Sequence, residues 1–144
     1  MGAALAGLLV TLGLPPFGWW PLPILGFAML TTSVAPARSR GIVFGRMMVF
    51  GVGWFGPGLW WMTQFSRPGW ILVVLLESLI GAACMVGASG RRSSAWRMVA
   101  GVTVGEIVRT RLPLVALPLA GIDLAQARGP LRSEERRVGK ECCR

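Results

Sequence analysis

Residues 68–90 read PGWILVVLLESLIGAACMVGASG, a stretch of 23 residues with one charged side chain, Glu77. A transmembrane helix needs about 20 predominantly apolar residues, so this stretch predicts a membrane-spanning helix. A charge near its centre costs about 2.5–3.5 kcal/mol on insertion scales, and Glu77 should therefore face a bundle interior or a polar cavity. We expect either a hydrogen-bonded structural carboxyl or a contact with substrate or a lipid headgroup. We favour the structural role because no arginine lies near the same depth in the sequence.

The amino-terminal part of the chain is apolar as well. Its first charged side chain is Arg38, and paired prolines and tryptophans interrupt the preceding stretch at 15–21. Paired prolines break a helix, so the pattern predicts two short apolar arms over 1–14 and 22–34. A cleaved signal peptide over 1–30 is the alternative, although its start lacks the usual positive charge.

The remaining apolar stretches complete the predicted bundle. Residues 47–66 predict a span with a kink at Pro57, and residues 96–108 begin another. Residues 112–122, which contain two prolines, predict a re-entrant or interfacial stretch. The sequence thus predicts an all-α membrane protein, a bundle of about five transmembrane or re-entrant helices with no soluble domain. The predicted breaks lie near 15–21, 35–46, 65–69 and 91–97.

The composition fits a membrane protein better than a soluble one. Hydrophobic residues make up 53% of the 144 residues and charged residues 15%, with a mean hydropathy of +0.60. Soluble domains carry about 25% charged residues, which argues against a soluble basic binding module. The net charge of +9 comes from arginines scattered between apolar runs, a membrane pattern rather than a nucleic-acid-binding stripe. Histidine is absent, so His-ligated metal sites and His-based triads are excluded within this chain, and we expect no metal and no cofactor.

The arginines predict the orientation of the segments. Arg67 alone falls in a loop on one side of the predicted spans. Six arginines fall in the loops on the other side: Arg38, Arg40, Arg46, Arg91, Arg92 and Arg97. Positively charged loops stay in the cytoplasm, so we expect a cytoplasmic amino terminus. The chain beyond Val108 should then emerge on the outer side of the membrane.

Two further features could carry chemistry. Glu106 and Arg109 lie three residues apart and share one helix face. They predict either a snorkelling surface ion pair worth well under ~1 kcal/mol, or an anchor for a headgroup or an outer domain. Cys84 lies in an apolar stretch without histidine or a nearby lysine, which favours an inert buried thiol over a nucleophile.

Two small-residue motifs permit close packing of helix backbones: Gly41-x-x-x-Gly45 and Gly101-x-x-x-Gly105. Chance matches are common among 20 glycines, so we expect ordinary helix packing at both motifs. No ligand site is predicted there.

Residues 132–144 differ in composition from the rest of the chain. They hold the only lysine, two of the three cysteines and three of the six acidic residues. The run RSEERRVGKEC over 132–142 resembles the in-frame translation of a sequencing-library adapter, so we expect a non-native tail and a native frame that continues beyond Leu131. The alternatives are a native tail or a metal or redox site at Cys142 and Cys143, which lack the usual ligand spacing.

Five motifs follow one another along residues 5–131. They are GLPPFGWWPL over 13–22, ARSR over 37–40, GVGWFGPGLWW over 51–61, EIVR over 106–109 and QARGPL over 126–131. In this order they resemble the N-terminal membrane part of bacterial apolipoprotein N-acyltransferases. The resemblance implies that residues 1–131 are that domain.

The resemblance also implies an activity. A phospholipid acyl chain passes to an enzyme cysteine and then to the amino group of a lipoprotein's N-terminal diacylglyceryl-cysteine. The implied partners are a phospholipid acyl donor, a diacylated lipoprotein and membrane lipids, with no nucleic acid. The family's Glu-Lys-Cys triad lies in a nitrilase-like outer domain, so no catalytic residue is assigned here and the chain alone should be inactive. The alternative function is a small polytopic membrane interaction or transport subunit without enzymatic activity.

Five residues are the candidates for facing substrate or lipid within this platform. They are Glu77, Glu106, Arg109, Trp19 and Trp20. The first three are charged groups in apolar surroundings, and tryptophans favour the membrane–water interface.

Overall fold

The computed structural model describes residues 2–37, 39–88 and 95–111, and these ranges are helical without any β-strand. The α-helices are α1 (Gly2–Leu12), α2 (Pro21–Val34), α3 (Arg40–Gly58), α4 (Arg67–Ala88) and α5 (Ala95–Arg111). A 3₁₀ turn, Trp60–Gln64, connects α3 to α4. The prediction of an all-α fold is confirmed for the described part of the chain.

The turn between α1 and α2 falls at residues 13–20, which overlaps the predicted break at 15–21. Pro21 begins α2, and a proline is tolerated there because the first amides of a helix have no intrahelical acceptor. Gly18 has a φ of 63°, a left-handed conformation that favours glycine. Its amide donates to the Leu14 carbonyl at 3.0 Å, which closes the turn.

The third segment differs from the prediction at both ends. Helix α3 begins at Arg40 rather than near residue 47, because Ser39 caps it by accepting a hydrogen bond from the Ile42 amide at 3.3 Å. The charges of Arg40 and Arg46 do not exclude these residues from α3, because arginine is a good helix former. At the other end, Pro57 lies in the last turn and α3 stops at Gly58, so the predicted span over 47–66 is not one continuous α-helix.

The prediction of about five spanning segments is not confirmed. In the described ranges, only Arg67–Gly87 is both long and apolar enough to cross a membrane, with a mean hydropathy of 2.2. Helices α1 and α2 are apolar but only 11 and 14 residues long. The predicted re-entrant stretch over 112–122, the tail over 132–144 and most of the predicted break at 91–97 lie outside the described residues.

Helix α3 lies at the centre of the fold. It packs against α1 on one side and α4 on the other, while α2 packs against α1 and α5 against α4. The backbones of α1 and α3 come close at Gly7, where a Cβ would lie 2.8 Å from the Trp54 amide nitrogen. The Thr11 hydroxyl, one turn further along α1, donates to the Trp54 carbonyl at 2.8 Å. These contacts hold α1 and α3 together through backbone groups.

The two small-residue motifs have different outcomes. A Cβ on Gly105 would lie 3.9 Å from the Gly81 Cα, so this glycine does pack in the contact between α5 and α4. A Cβ on Gly41 or Gly45 would meet no heavy atom of the described chain within 4 Å. Among the described residues, no helix packs against α3 at Gly41 and Gly45, and that face of α3 is exposed, so the expected packing is not found there.

Candidate functional site

Helix α4 buries a carboxylate near its middle. Glu77 lies ten residues beyond Arg67, which is about 15 Å along the helix axis at 1.5 Å per residue. Its exposed fraction is 2%, and the neighbouring Ser78 is buried too. The Ser78 hydroxyl donates a hydrogen bond to the Val74 carbonyl of the preceding turn at 2.7 Å, so this buried hydroxyl has its acceptor within α4. Glu77 therefore faces the interior of the bundle.

The partner of Glu77 comes from α5. The Nε of Arg109 donates to Glu77 Oε2, and its Nη1 donates to Glu106 Oε1 at 2.7 Å. The Arg109 side chain is only 6% exposed, and the Glu106 side chain 24%. One guanidinium thus joins two carboxylates, one on its own helix and one on α4. We call Glu77, Glu106 and Arg109 the ion cluster.

Aromatic rings of α3 cover the guanidinium. The Arg109 Cζ lies 4.6 Å from the centre of the Phe55 ring and 5.7 Å from that of Trp54, both within cation–π range. The two rings stack on each other at 4.7 Å, and Phe50 meets Trp54 edge-on at 5.7 Å. Helix α3 therefore supplies an aromatic wall for the ion cluster that α4 and α5 build.

This arrangement is energetically demanding. Removing charges from water costs several kcal/mol per ion, and attraction offsets that cost only with good geometry and additional hydrogen bonds. Here the guanidinium meets the carboxylates through separate N–H groups and presents its face to aromatic rings.

A small cavity adjoins the ion cluster where α3, α4 and α5 meet. Its volume is about 40 Å³. All three residues of the ion cluster line it, together with Trp54 and several glycines. The indole Nε1 of Trp54 is buried and has no hydrogen-bond acceptor among the described residues.

The structure corrects two expectations about charged residues. The premise that no arginine lies near the depth of Glu77 is wrong, because α5 runs back along α4 and brings Arg109 to it. The alternative of a snorkelling surface pair between Glu106 and Arg109 is wrong as well, because the Arg109 side chain is buried. The Phe55 and Trp54 wall was missed; the only sequence signal was the glycine-rich aromatic run over 51–61.

The remaining candidates lie elsewhere. Trp19 and Trp20 are 59% and 38% exposed in the turn between α1 and α2, and neither lines the cavity. Cys84 is a half-buried free thiol on α4. Among the described residues, no group of three His, Cys, Asp or Glu side chains is placed to hold a metal ion.

Comparison with known proteins gives a consistent match. Residues 6–134 match the family model described as the apolipoprotein N-acyltransferase N-terminal domain. Three curated proteins named apolipoprotein N-acyltransferase are similar. That of Ralstonia nicotianae is 42% identical over 74 residues, covering 48% of this chain and 14% of the relative. Those of Caulobacter vibrioides and Rhizobium meliloti are each 32% identical, covering 67% and 70% of this chain and 21% and 23% of the relatives. The chain therefore spans less than a quarter of the length of these three relatives. No solved structure matches the chain significantly.

Proposed function

Because the chain belongs to the apolipoprotein N-acyltransferase family, we propose that it forms the N-terminal membrane platform of such an enzyme. The enzyme would transfer a phospholipid acyl chain to the N-terminal diacylglyceryl-cysteine of lipoproteins. The observation that carries this proposal is the family match over residues 6–134. We assign the acyl-transfer chemistry to the nitrilase-like domain that the resemblance implies. We propose no catalytic residue within residues 1–131.

The exposure of α4 supports a membrane location. Only 28% of its most apolar window is buried, whereas the core helix of a soluble protein would be mostly buried. The side chains of Ile71, Leu72, Leu75 and Leu79 are 46–63% exposed. Leaving such side chains in water forgoes about 25 cal/mol per Å² of apolar surface. Lipid contact on this face would remove that cost.

The exposed tryptophans support an interfacial location for one end of the bundle. Helices α1 and α3 run in the same direction, since Gly7 lies against Phe50 and Thr11 against Trp54. The α1–α2 turn and the 3₁₀ turn after α3 are therefore at the same end. This end exposes four tryptophans: Trp19, Trp20, Trp60 and Trp61. We propose that Trp19 and Trp20 meet lipid headgroups, as tryptophans do at membrane interfaces.

We propose a second role for the ion cluster within the platform. Arg109 lies in the last turn of α5 and is tied to α4 through Glu77. That tie fixes the direction in which the chain leaves α5. Glu106 is the most exposed member of the ion cluster, so a lipid or substrate group that enters the bundle at this level would meet it first.

We further propose that the amino terminus lies in the cytoplasm and that the chain leaves α5 toward the outer side. Single cysteines test this orientation in residues 1–144 from which Cys84, Cys142 and Cys143 have been removed by substitution. A membrane-impermeant thiol reagent on intact cells should label Arg67→Cys and Ala125→Cys and spare Ser39→Cys and Ser93→Cys. The reverse pattern would contradict the orientation and the outer location of the catalytic domain.

A domain exchange tests the function itself. The N-terminal segment of the Caulobacter vibrioides enzyme would be replaced by residues 1–131 in cells depleted of their own enzyme. We expect the hybrid to restore triacylated lipoproteins, measured by mass spectrometry of their N-terminal peptides. A matched hybrid without the cysteine of the nitrilase-like domain should not. A stable, membrane-inserted hybrid that fails to restore them would instead favour a membrane subunit without enzymatic activity.

The chain alone should be inactive. Incubated in detergent with phospholipid and a diacylated lipopeptide, it should give no triacylated product. Product that disappears in Cys84→Ala would show that this chain carries its own nucleophile.

A further inference from the structure

A second cavity lies at the end of the bundle opposite to the α1–α2 turn, where α1 begins and α2 ends. Its volume is about 300 Å³, and it is open to the outside of the bundle. That volume is at the lower end of the range for small-molecule sites. Residues of α1, α3 and the end of α2 line it: Gly2, Ala3, Thr32, Ser33, Pro36 and Arg46.

Arg46 brings a positive charge into this cavity. Its side chain is half-buried, and its Nη1 donates a hydrogen bond to the Ser33 carbonyl. Since both partners of this bond line the cavity, the guanidinium lies there too. A guanidinium has five N–H donors. The Ser33 carbonyl is the only acceptor that Arg46 meets among the described residues, so its other donors remain for a ligand.

The charge of Arg46 has no counterion in the described part of the chain. The only carboxylates there are those of Glu77 and Glu106, which belong to the ion cluster and do not line this cavity. Arg40, exposed at the start of α3, adds a second positive charge near the same end. Removing a charge from water is costly unless an opposite charge pairs with it. The cavity therefore favours an anion.

The donors of the cavity wall suit a phosphate group. A guanidinium presents a planar fork of N–H groups that pairs with the oxygens of a phosphate. The Ser33 hydroxyl lies close to α1, since a Cβ on Gly2 would be 2.9 Å from its Oγ. In a membrane-embedded bundle, the anions found at the end of the helices are lipid headgroups, and basic pockets between helices bind them.

We propose that this cavity binds a phosphate group, supplied by the headgroup of an anionic phospholipid. The phosphate oxygens accept from Arg46, whose bond to the Ser33 carbonyl holds the guanidinium in place, so the headgroup links α2 to α3. The site is at the opposite end of the bundle from the point where the chain leaves α5. It rests on the proposed membrane location and not on acyl transfer, which the domain exchange tests separately.

Thermal unfolding of residues 1–144 tests the proposal in an uncharged detergent and a phosphate-free buffer. A ligand that binds only the folded state raises the midpoint temperature. We expect dioctanoyl-phosphatidylglycerol to raise it in a saturable manner. Dioctanoylglycerol, which has the same acyl chains without the phosphate, should leave it unchanged. Inorganic phosphate at the same concentrations distinguishes the source: a smaller response supports the headgroup, and an equal one would assign the site to a free anion.

Two arginine variants locate the site. In Arg46→Gln, the concentration of phosphatidylglycerol that gives half of the shift should rise about 10–100-fold, the loss expected for hydrogen bonds to a charged group. Arg40→Gln is the matched control: it removes the same charge from the same helix but does not line the cavity, so it should keep the response. An Arg46 that only capped α2 would affect the midpoint of the lipid-free protein and not its response to lipid.

Three results would overturn the proposal. The first is a wild-type chain that responds neither to phosphatidylglycerol nor to inorganic phosphate. The second is an equal loss of response in both arginine variants, which would indicate diffuse attraction by charge. The third is a response to dioctanoylglycerol as large as that to phosphatidylglycerol, which would identify the acyl chains as the ligand. Should Arg46→Gln fail to fold, the comparison of ligands on the wild-type chain still tests the proposal.

Discussion

The substitution Arg109→Met removes the guanidinium that holds both carboxylates of the ion cluster. Removing one partner of a buried ion pair costs about 3–5 kcal/mol, because the other charge stays buried and unpaired. The ring of Phe55, 4.6 Å from the Arg109 Cζ, loses a cation–π contact worth about 0.5–2 kcal/mol. Methionine returns some apolar packing. We therefore expect a loss of about 3–5 kcal/mol in the free energy of unfolding.

The substitution Glu77→Met should cost less. It leaves Arg109 paired with Glu106 at 2.7 Å, so the buried guanidinium keeps one carboxylate. We expect a loss of about 1–3 kcal/mol, the usual cost of an unsatisfied buried group. The double variant should be less destabilised than Arg109→Met alone, because replacing both partners of a buried pair with apolar groups is often close to neutral.

Equilibrium unfolding of the full chain measures these differences. Helix content would be followed by circular dichroism as SDS is added to mixed micelles. Arg111→Met is the matched control: it lies two residues further along the same helix and is exposed, so it should change stability by less than ~0.5 kcal/mol. Equal effects of Arg109→Met and Arg111→Met would refute the buried ion pair. Losses that simply add in the double variant would refute the coupling between α4 and α5.

Three further predictions concern packing and the tail. Gly7→Ala should destabilise the bundle by about 1–3 kcal/mol, because its Cβ would collide with the α3 backbone at Trp54. Gly41→Ala is the control, since its Cβ meets no described heavy atom within 4 Å. It should show no loss of stability and a gain of up to about 1 kcal/mol. Thr11→Val should cost about 0.5–1.5 kcal/mol in the same unfolding experiment, since it removes the hydroxyl that donates to the Trp54 carbonyl; no loss would show that this bond is not formed. Deleting residues 132–144 should leave the unfolding curve unchanged if the tail is non-native, and a clear loss would indicate a native packed segment.

The elements of the fold followed from hydropathy, but their boundaries did not. Uncharged runs located α1, α2 and α4, because a long apolar stretch and a proline-rich turn each have one dominant structural outcome. The start of α3 does not follow from charge, because arginines occur in helices as well as in loops. The decisive group was the Ser39 hydroxyl, which caps the helix and lets Arg40 and Arg46 lie within it. The long side chain of Arg46 also donates a hydrogen bond from Nη1 to the Ser33 carbonyl of α2.

Glu77 and Arg109 are 32 positions apart, which is why no local spacing rule pairs them. The geometry of an antiparallel helical hairpin does pair them. Two helices joined by a short connection bring residues at equal distances from its centre to the same level. Position 93 is halfway between 77 and 109, and also halfway between 81 and 105, the glycines at which α4 and α5 approach each other. That midpoint falls inside the break that the arginines predicted at 91–97. The sequence therefore contains enough information to place Arg109 at the level of Glu77 along the two helices. What it lacked was the rotation of each helix about its axis, which packing against the Phe55 and Trp54 wall of α3 determines. For a carboxylate in an apolar helix that precedes a predicted hairpin, the candidate partners are therefore the basic residues equally far beyond the midpoint of the hairpin. Such a carboxylate should be judged unpaired only when no basic residue lies at those positions.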